Sequence, residues 1–192
     1  MTAALERASP ASQPLTHSLT HSSTGTIKHV TGARIAVIAC GLEMAKTETK
    51  GTVLLKSAQE LLDFNAGEER MMEQCINEIA QSGVNVIVSG GAVSDLALHF
   101  AERHNLMVIK EASKFNLRRL CQVTACRPLT RLGIPTPEEI GSCDEVSVEE
   151  IGSTKVCVFR RTKGDAGITT LVIRGSSQNI LDDIERCVGA SA

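Results

Sequence analysis

The chain has 192 residues, a formal charge of -2, 42% apolar and 22% charged residues, the balance of one globular domain large enough to bury its own core. The near-neutral charge exerts no pull toward nucleic acid or anionic membrane, and without Trp or Tyr and with only four Phe the chain cannot build the stacking platform that single-stranded nucleic acid requires. No apolar run approaches the roughly 20 residues of a membrane span, and the N-terminus lacks the basic-then-apolar order of a secretory signal, so a cytoplasmic protein with no nucleic-acid or membrane partner is expected.

Residues 1–26 are rich in Ser, Thr, Ala and Pro and repeat "LTHS"; with no sustained apolar period they read as a flexible tail. Order is expected from Ile27. "RIAVIAC", Arg34 to Cys40, is a continuous apolar run of strand length, as in a strand covered on both faces. Ser57 with Glu60 three residues on forms a capping box, which predicts a short helix near Ala58 to Asp63. "GEERMMEQCINEIAQSG" predicts a second helix, with Met71, Met72, Cys75, Ile76, Ile79 and Ala80 on one side and Gly83 as its stop.

"VNVIVS", "AVSDLALHFAERH" and "LMVIK" then read as strand, helix and strand, the helix turning Val93, Leu96, Ala97 and Phe100 inward. That is a βαβ unit with parallel strands, and it makes the fold class α/β. "SKFNLRRLCQVTA" predicts a helix capped by Ser113, with Leu117, Leu120, Cys121 and Thr124 inside and Lys114, Phe115, Arg118, Arg119 and Gln122 outside. "GIPTPEEIGSC" reads as a proline-bearing connection, "KVCVFRR" and "ITTLVIRG" as strands joined by the turn "TKGDAG", and "SSQNILDDIERCV" as a final helix with Ile180, Ile184 and Val188 aligned.

Motifs of catalysis are missing from this pattern. Gly90-Gly91 joins a strand to a helix, but the three-glycine dinucleotide frame and the lysine of a P-loop are both absent, so a structural turn is the favoured reading and a phosphate cradle the alternative. The adjacent acids Glu138-Glu139, Glu149-Glu150 and Asp182-Asp183 point to opposite sides and suit solvated surface. No serine sits in a nucleophile elbow. The seven cysteines are scattered through apolar segments, as reduced core thiols are; the tightest pair, Cys121 and Cys126, has no second pair to complete a zinc site.

Taken together, "ARIAVIAC", "TETKGTVLLKSAQELLDF", "GEERMMEQ", "GVNVIVSGGAVSDLALHFAERHNLMVIKEASKFNLRRLCQ" and "LVIRGSSQNILDDIERCV" resemble the apical domain of a group II chaperonin subunit. The resemblance covers about residues 27–188, leaving 1–26 as a non-family tail. It implies a swivelling β/β/α domain with a helical lid protrusion at about 47–72, carrying Val53, Leu54, Leu55, Leu61, Leu62 and Phe64. It also implies a polypeptide-binding face on the helix of Lys114, Phe115, Arg118, Arg119 and Gln122.

Unfolded or partly folded clients and neighbouring subunits are the implied partners, with prefoldin a further candidate. The family's nucleotide loop and hydrolytic aspartate belong to other domains. ATP and Mg are therefore implied for a full-length subunit, whereas no cofactor, metal or catalysis is expected of the residues in hand, read as an excised or truncated piece of that subunit. The competing readings are a small α/β nucleotide-binding protein or enzyme using the Gly90-Gly91 turn, and a decoy that competes with full subunits.

Overall fold

The computed structural model describes residues 19–20, 25–43, 57–151, 154–161 and 170–191. Six strands and four helices run in the order β1 (Leu19–Thr20), β2 (His29–Ile38), α1 (Ala58–Gln81), β3 (Val86–Ser89), α2 (Asp95–Arg103), β4 (Met107–Lys110), α3 (Lys114–Thr124), β5 (Gly141–Ile151), β6 (Thr154–Arg160) and α4 (Gln178–Ser191). The strands form one mixed sheet ordered β1-β6-β5-β2-β3-β4. β2, β3 and β4 are parallel, whereas β1, β6, β5 and β2 pair antiparallel along the other half.

Alternation along the strands divides the core in two. Ile35, Val37, Val86, Val88, Met107 and Ile109 point to one face, where Leu117 and Leu120 of α3 cover them. Ala36, Ile38, Ile87 and Val108 point to the other, where Met72, Ile76 and Ile79 of α1 and Ala97, Phe100 and Ala101 of α2 close the layer. The expected α/β class and the β3-α2-β4 unit are both present. Covering on both faces is what lets these strands be apolar without interruption.

Several elements differ from the sequence reading. The two helices expected around Ala58–Asp63 and Gly67–Gly83 are one, α1, running through Gly67. A glycine inside a helix costs about 1 kcal/mol, while burying Met72, Ile76 and Ile79 contributes roughly 2 kcal/mol each, so the break is overridden. A Cβ at Gly67 would meet nothing within 4 Å. Met71, expected inside, is 58% exposed, and Met72 alone of that pair is buried. Gly83 does stop the helix, with φ +80° and its N–H donating to the Ala80 carbonyl at 3.0 Å.

β6 has a different hairpin partner from the one expected. β5, in a stretch read as a connection with no strand beyond it, pairs antiparallel with β6 from Glu145↔Arg160 to Ile151↔Thr154. Of the strand expected over 168–175, Thr170 to Gly175 are described and form no strand of the sheet, although Ile173 holds an isolated bridge position; residues 168–169 and the expected turn at 162–167 lie outside the described residues. β1 pairs Leu19 with Val158 and Thr20 with Cys157, so the segment read as a flexible tail contributes a strand.

In α4, Ile180 is 58% and Val188 37% exposed, while Leu181 and Ile184 are half-buried. The aligned apolar residues are thus not turned into the core. A periodic stripe states that some surface suits it, not that the described residues supply that surface. None of the seven cysteines is in a disulfide; Cys126, Cys143 and Cys157 are buried, and Cys187 is exposed.

The ends of β2 and β3 interlock through backbone. The Gly90 N–H donates to the Ile38 carbonyl at 2.7 Å, Leu42 N–H to Ala92 O at 2.7 Å and Ser94 N–H to Leu42 O at 3.1 Å. A Cβ on Gly91 would stand 2.7 Å from Gly41 N and 2.8 Å from its Cα, and neither backbone atom can yield cheaply. Gly91→Ala is therefore expected to destabilise by about 1–3 kcal/mol, read as a lower denaturant midpoint; an unchanged midpoint would refute the close contact.

On β5, His29 Nε2 donates to Glu145 Oε1 at 2.7 Å and Arg160 Nη1 to Glu145 Oε2 at 3.1 Å. These partners, the imidazole first, hold the Glu145 carboxyl below the usual carboxylate range. A depressed folded-state value contributes stability above the unfolded value of about 4.3 and loses it as pH falls through the folded value. Unfolding titrations should show a shallower acid limb for Glu145→Gln than for the parent, and identical limbs would count against the pairing.

Candidate functional site

α3 grows directly from the edge strand β4. The Glu111 N–H donates to Ser89 O at 2.8 Å, extending the ladder by one residue. Its carboxylate is buried, and Oε1 accepts the Ser113 N–H at 2.9 Å. Ser113 is the N-cap, with its Oγ 3.5 Å from the Asn116 N–H. Two oxygens thus serve N–H groups at or beside the helix start that no helical carbonyl can reach. At the other end Ala125 takes the left-handed conformation, φ 56°, and Arg161 Nη1 donates to the Val123 carbonyl, a cation where the helix dipole favours one.

Leu117, Leu120, Val123 and Thr124 face the core and are buried. Lys114, Phe115, Arg118, Arg119 and Gln122 all lie on the exposed face, with Phe115 71% exposed. Spacings of three and four residues make them neighbours: Phe115 is flanked by Arg118 and Arg119, and Lys114 and Gln122 bracket Arg118. The helix has no acidic residue, and its basic residues occupy the first two turns rather than the last. Of these cations Lys114 alone stands in the first turn, where a positive charge opposes the dipole by about 0.3–1 kcal/mol. Three cations beside an exposed aromatic make a compact surface that can meet an apolar group ringed by acids.

Sequence reasoning missed the two residues that hold this helix at its ends. Glu111 was legible in principle, as an acid two positions ahead of the cap. Arg161 was not, because it comes from the end of β6, 38 residues beyond the carbonyl it meets. The exposed Ile134, in the segment after α3, also escaped the pattern.

The residues expected on a lid protrusion divide differently. Leu61, Leu62 and Phe64 lie within α1, with side chains outside the described residues; Val53, Leu54 and Leu55 lie outside the described residues altogether. Met72, at the far end of the expected protrusion, is in the core.

The Gly90-Gly91 turn offers little to a phosphate. The Gly90 N–H is engaged by Ile38, Ser89 Oγ lies 3.4 Å from the Gly91 N–H, and Ser94 Oγ accepts from Ala97 N–H at the start of α2. The N–H groups of both glycines and of Ala97 are thus engaged by the protein itself, which removes three of the donors an anion at this turn would use.

Residues 14–191 match the profile of the TCP-1/cpn60 chaperonin family. The chain belongs to that family. It is 52% identical over 164 residues to T-complex protein 1 subunit theta of Dictyostelium discoideum, and 48% identical over 164 residues to the theta subunits of Bos taurus and Homo sapiens. Each match covers 85% of this chain and 30% of the relative, so this chaperonin-family chain spans about a third of the length of those proteins. Among solved structures, the open-state monomer of a group II chaperonin from Methanococcoides burtonii shares the fold, with a TM-score of 0.67 at 17% identity over 91% of this chain and 39% of that one. The family match begins at residue 14, ahead of the point at which the sequence resemblance was drawn.

Ser113→Ala removes the cap oxygen and should cost about 1 kcal/mol, with reduced amide protection in the first turn of α3. Unaltered exchange of the Asn116 amide would show that Glu111 alone holds the helix start.

Proposed function

We propose that the outer face of α3 binds unfolded or partly folded polypeptides, and that this chain is the apical, client-holding part of a cytoplasmic chaperonin subunit. The observation that carries the reading is the exposed Phe115 set among Lys114, Arg118 and Arg119 on a helix without acids, in a chain of chaperonin family. An aromatic anchor supplies contact area, and the surrounding cations attract acidic segments and repel basic ones, which favours selection and fast encounter over tight holding. A folding machine that must release its clients needs that balance.

In this reading residues 47–72 form the lid protrusion, with Val53, Leu54, Leu55, Leu61, Leu62 and Phe64 as its apolar surface. The neighbouring subunits of the assembled ring are its partners. The chain holds clients and does no bond chemistry; ATP hydrolysis with Mg belongs to the remaining domains of a full-length subunit. The sequence alternative of a nucleotide site at Gly90-Gly91 is disfavoured by donors already engaged within the turn.

The test is binding of a fluorescently labelled, chemically denatured acidic protein to the parent chain, to Arg118→Glu/Arg119→Glu and to Phe115→Ala. All three positions are exposed, so folding should be unaffected. Charge reversal is expected to weaken binding about tenfold or more and to remove most of its salt dependence; Phe115→Ala should weaken it by about 1–2 kcal/mol. Equal affinity in all three proteins would displace the site from α3.

A further inference from the structure

The C-terminal cap of α3 holds two free thiols against each other. The Cys126 N–H donates to the Cys121 carbonyl at 3.1 Å, and Ala125 donates to the same oxygen from its left-handed conformation. This paperclip turns the chain back on itself, so that residues five apart in sequence lie side by side. Their side chains follow: each thiol is the largest influence on the other's hold on its proton. Thr124 Oγ1 lies 3.1 Å from Cys126 Sγ and 2.8 Å from the Leu120 carbonyl, with one proton to give to either.

The cap is backed tightly. A Cβ on Gly141, at the start of β5, would stand 2.8 Å from Cys126 Cβ, from Thr124 Cβ and from Thr124 O, so the strand backbone presses on the turn and keeps it from opening. Cys126 is 7% exposed and Cys121 half-buried; small solutes can reach the pair from the Cys121 side.

We propose that Cys121 and Cys126 are a modification site, a dithiol that hydrogen peroxide converts reversibly to an intramolecular disulfide. A disulfide demands backbones close enough to bridge, and the cap closes them on each other before any oxidation. The chemistry balances. The Cys126 sulfur, with the Cys121 and Thr124 protons available to stabilise its thiolate, attacks one oxygen of the peroxide; the O–O bond breaks, and the departing hydroxide leaves as water after taking up a proton. The resulting Cys126 sulfenic acid is attacked by the Cys121 sulfur as that thiol gives up its proton, the S–S bond forms, and a second water leaves. Two thiols are oxidised by two electrons and one peroxide is reduced to two waters.

The thiol environments agree with these roles. Hydrogen bonds, first from Cys121 and then from Thr124, lower the Cys126 thiol against the opposing effect of burial, while Cys121 is pushed up. The product ties the last turn of α3 to the segment that follows it and is removed by any reducing dithiol. Neither the helix face outside nor its occupant enters this inference.

Trypsin leaves both cysteines in one peptide, Leu120–Arg131, since Arg127 precedes Pro128. The intact chain is exposed to hydrogen peroxide, its remaining thiols are alkylated, and the peptide is weighed over time. The expected result is loss of two hydrogens, reversed by dithiothreitol, at a rate about tenfold above oxidation of the buried Cys143 and Cys157, because the partner thiol is already in place. A peptide that gains oxygens without losing hydrogens, or that stays fully alkylated while the other cysteines oxidise, overturns the proposal. So does a bridge from either residue to a different cysteine.

Discussion

Backbone meets backbone where β2 and β3 end, with residues 39–41 and 90–92 in close approach and the Ser89 hydroxyl bridging them from Cys40 O to Gly91. A Cβ at Gly90 would stand 2.7 Å from the Ala39 carbonyl oxygen, and one at Gly41 would stand 2.8 Å from that of Ala92. This approach fixes where the chain leaves each strand. It sets the start of α2, because Ser94 both donates to Leu42 and caps the helix. It also reaches α3, because the same absent Cβ at Gly90 would stand 2.8 Å from Leu117 Cδ1. Three glycines therefore place two helices on opposite sides of one sheet.

Energetically α3 has two unrelated faces. Leu117 and Leu120 inside contribute roughly 2 kcal/mol each by burial, and Glu111, Ser113 and Arg161 satisfy its ends. Against that sum, Lys114 in the first turn costs only a few tenths to one kcal/mol. The helix is secure enough that its outer residues are free of any folding duty. Their identity then reports something else, and chaperonin membership gives that surplus a direction.

Legibility tracked the source of the signal. β2, β3, α2, β4 and α3 were readable because each carries its own period and its own caps; five exposed residues of α3 follow from helical spacing alone. β5 escaped because "SCDEVSVEE" mixes acids with short polar residues, and its strand character comes from two partners, β2 and β6, distant in sequence. The split in α1 was a propensity argument defeated by burial. The strand expected over 168–175 had the right composition, but β6 pairs with β5 and β1, and the described part of that stretch holds a bridge position at Ile173 rather than a strand.

By itself the sequence determined the α/β class, the parallel unit around β3, the two faces of α3 and the family resemblance, since these depend on local periods and on order along the chain. Only the tertiary structure decided the antiparallel half of the sheet, the closure of α3 by Arg161, the occupied donors at Gly90-Gly91 and the meeting of Cys121 with Cys126. The physical reason is that a period records which side of an element is dry, whereas a pairing depends on which distant surface arrives there, and that information is carried by neither partner alone.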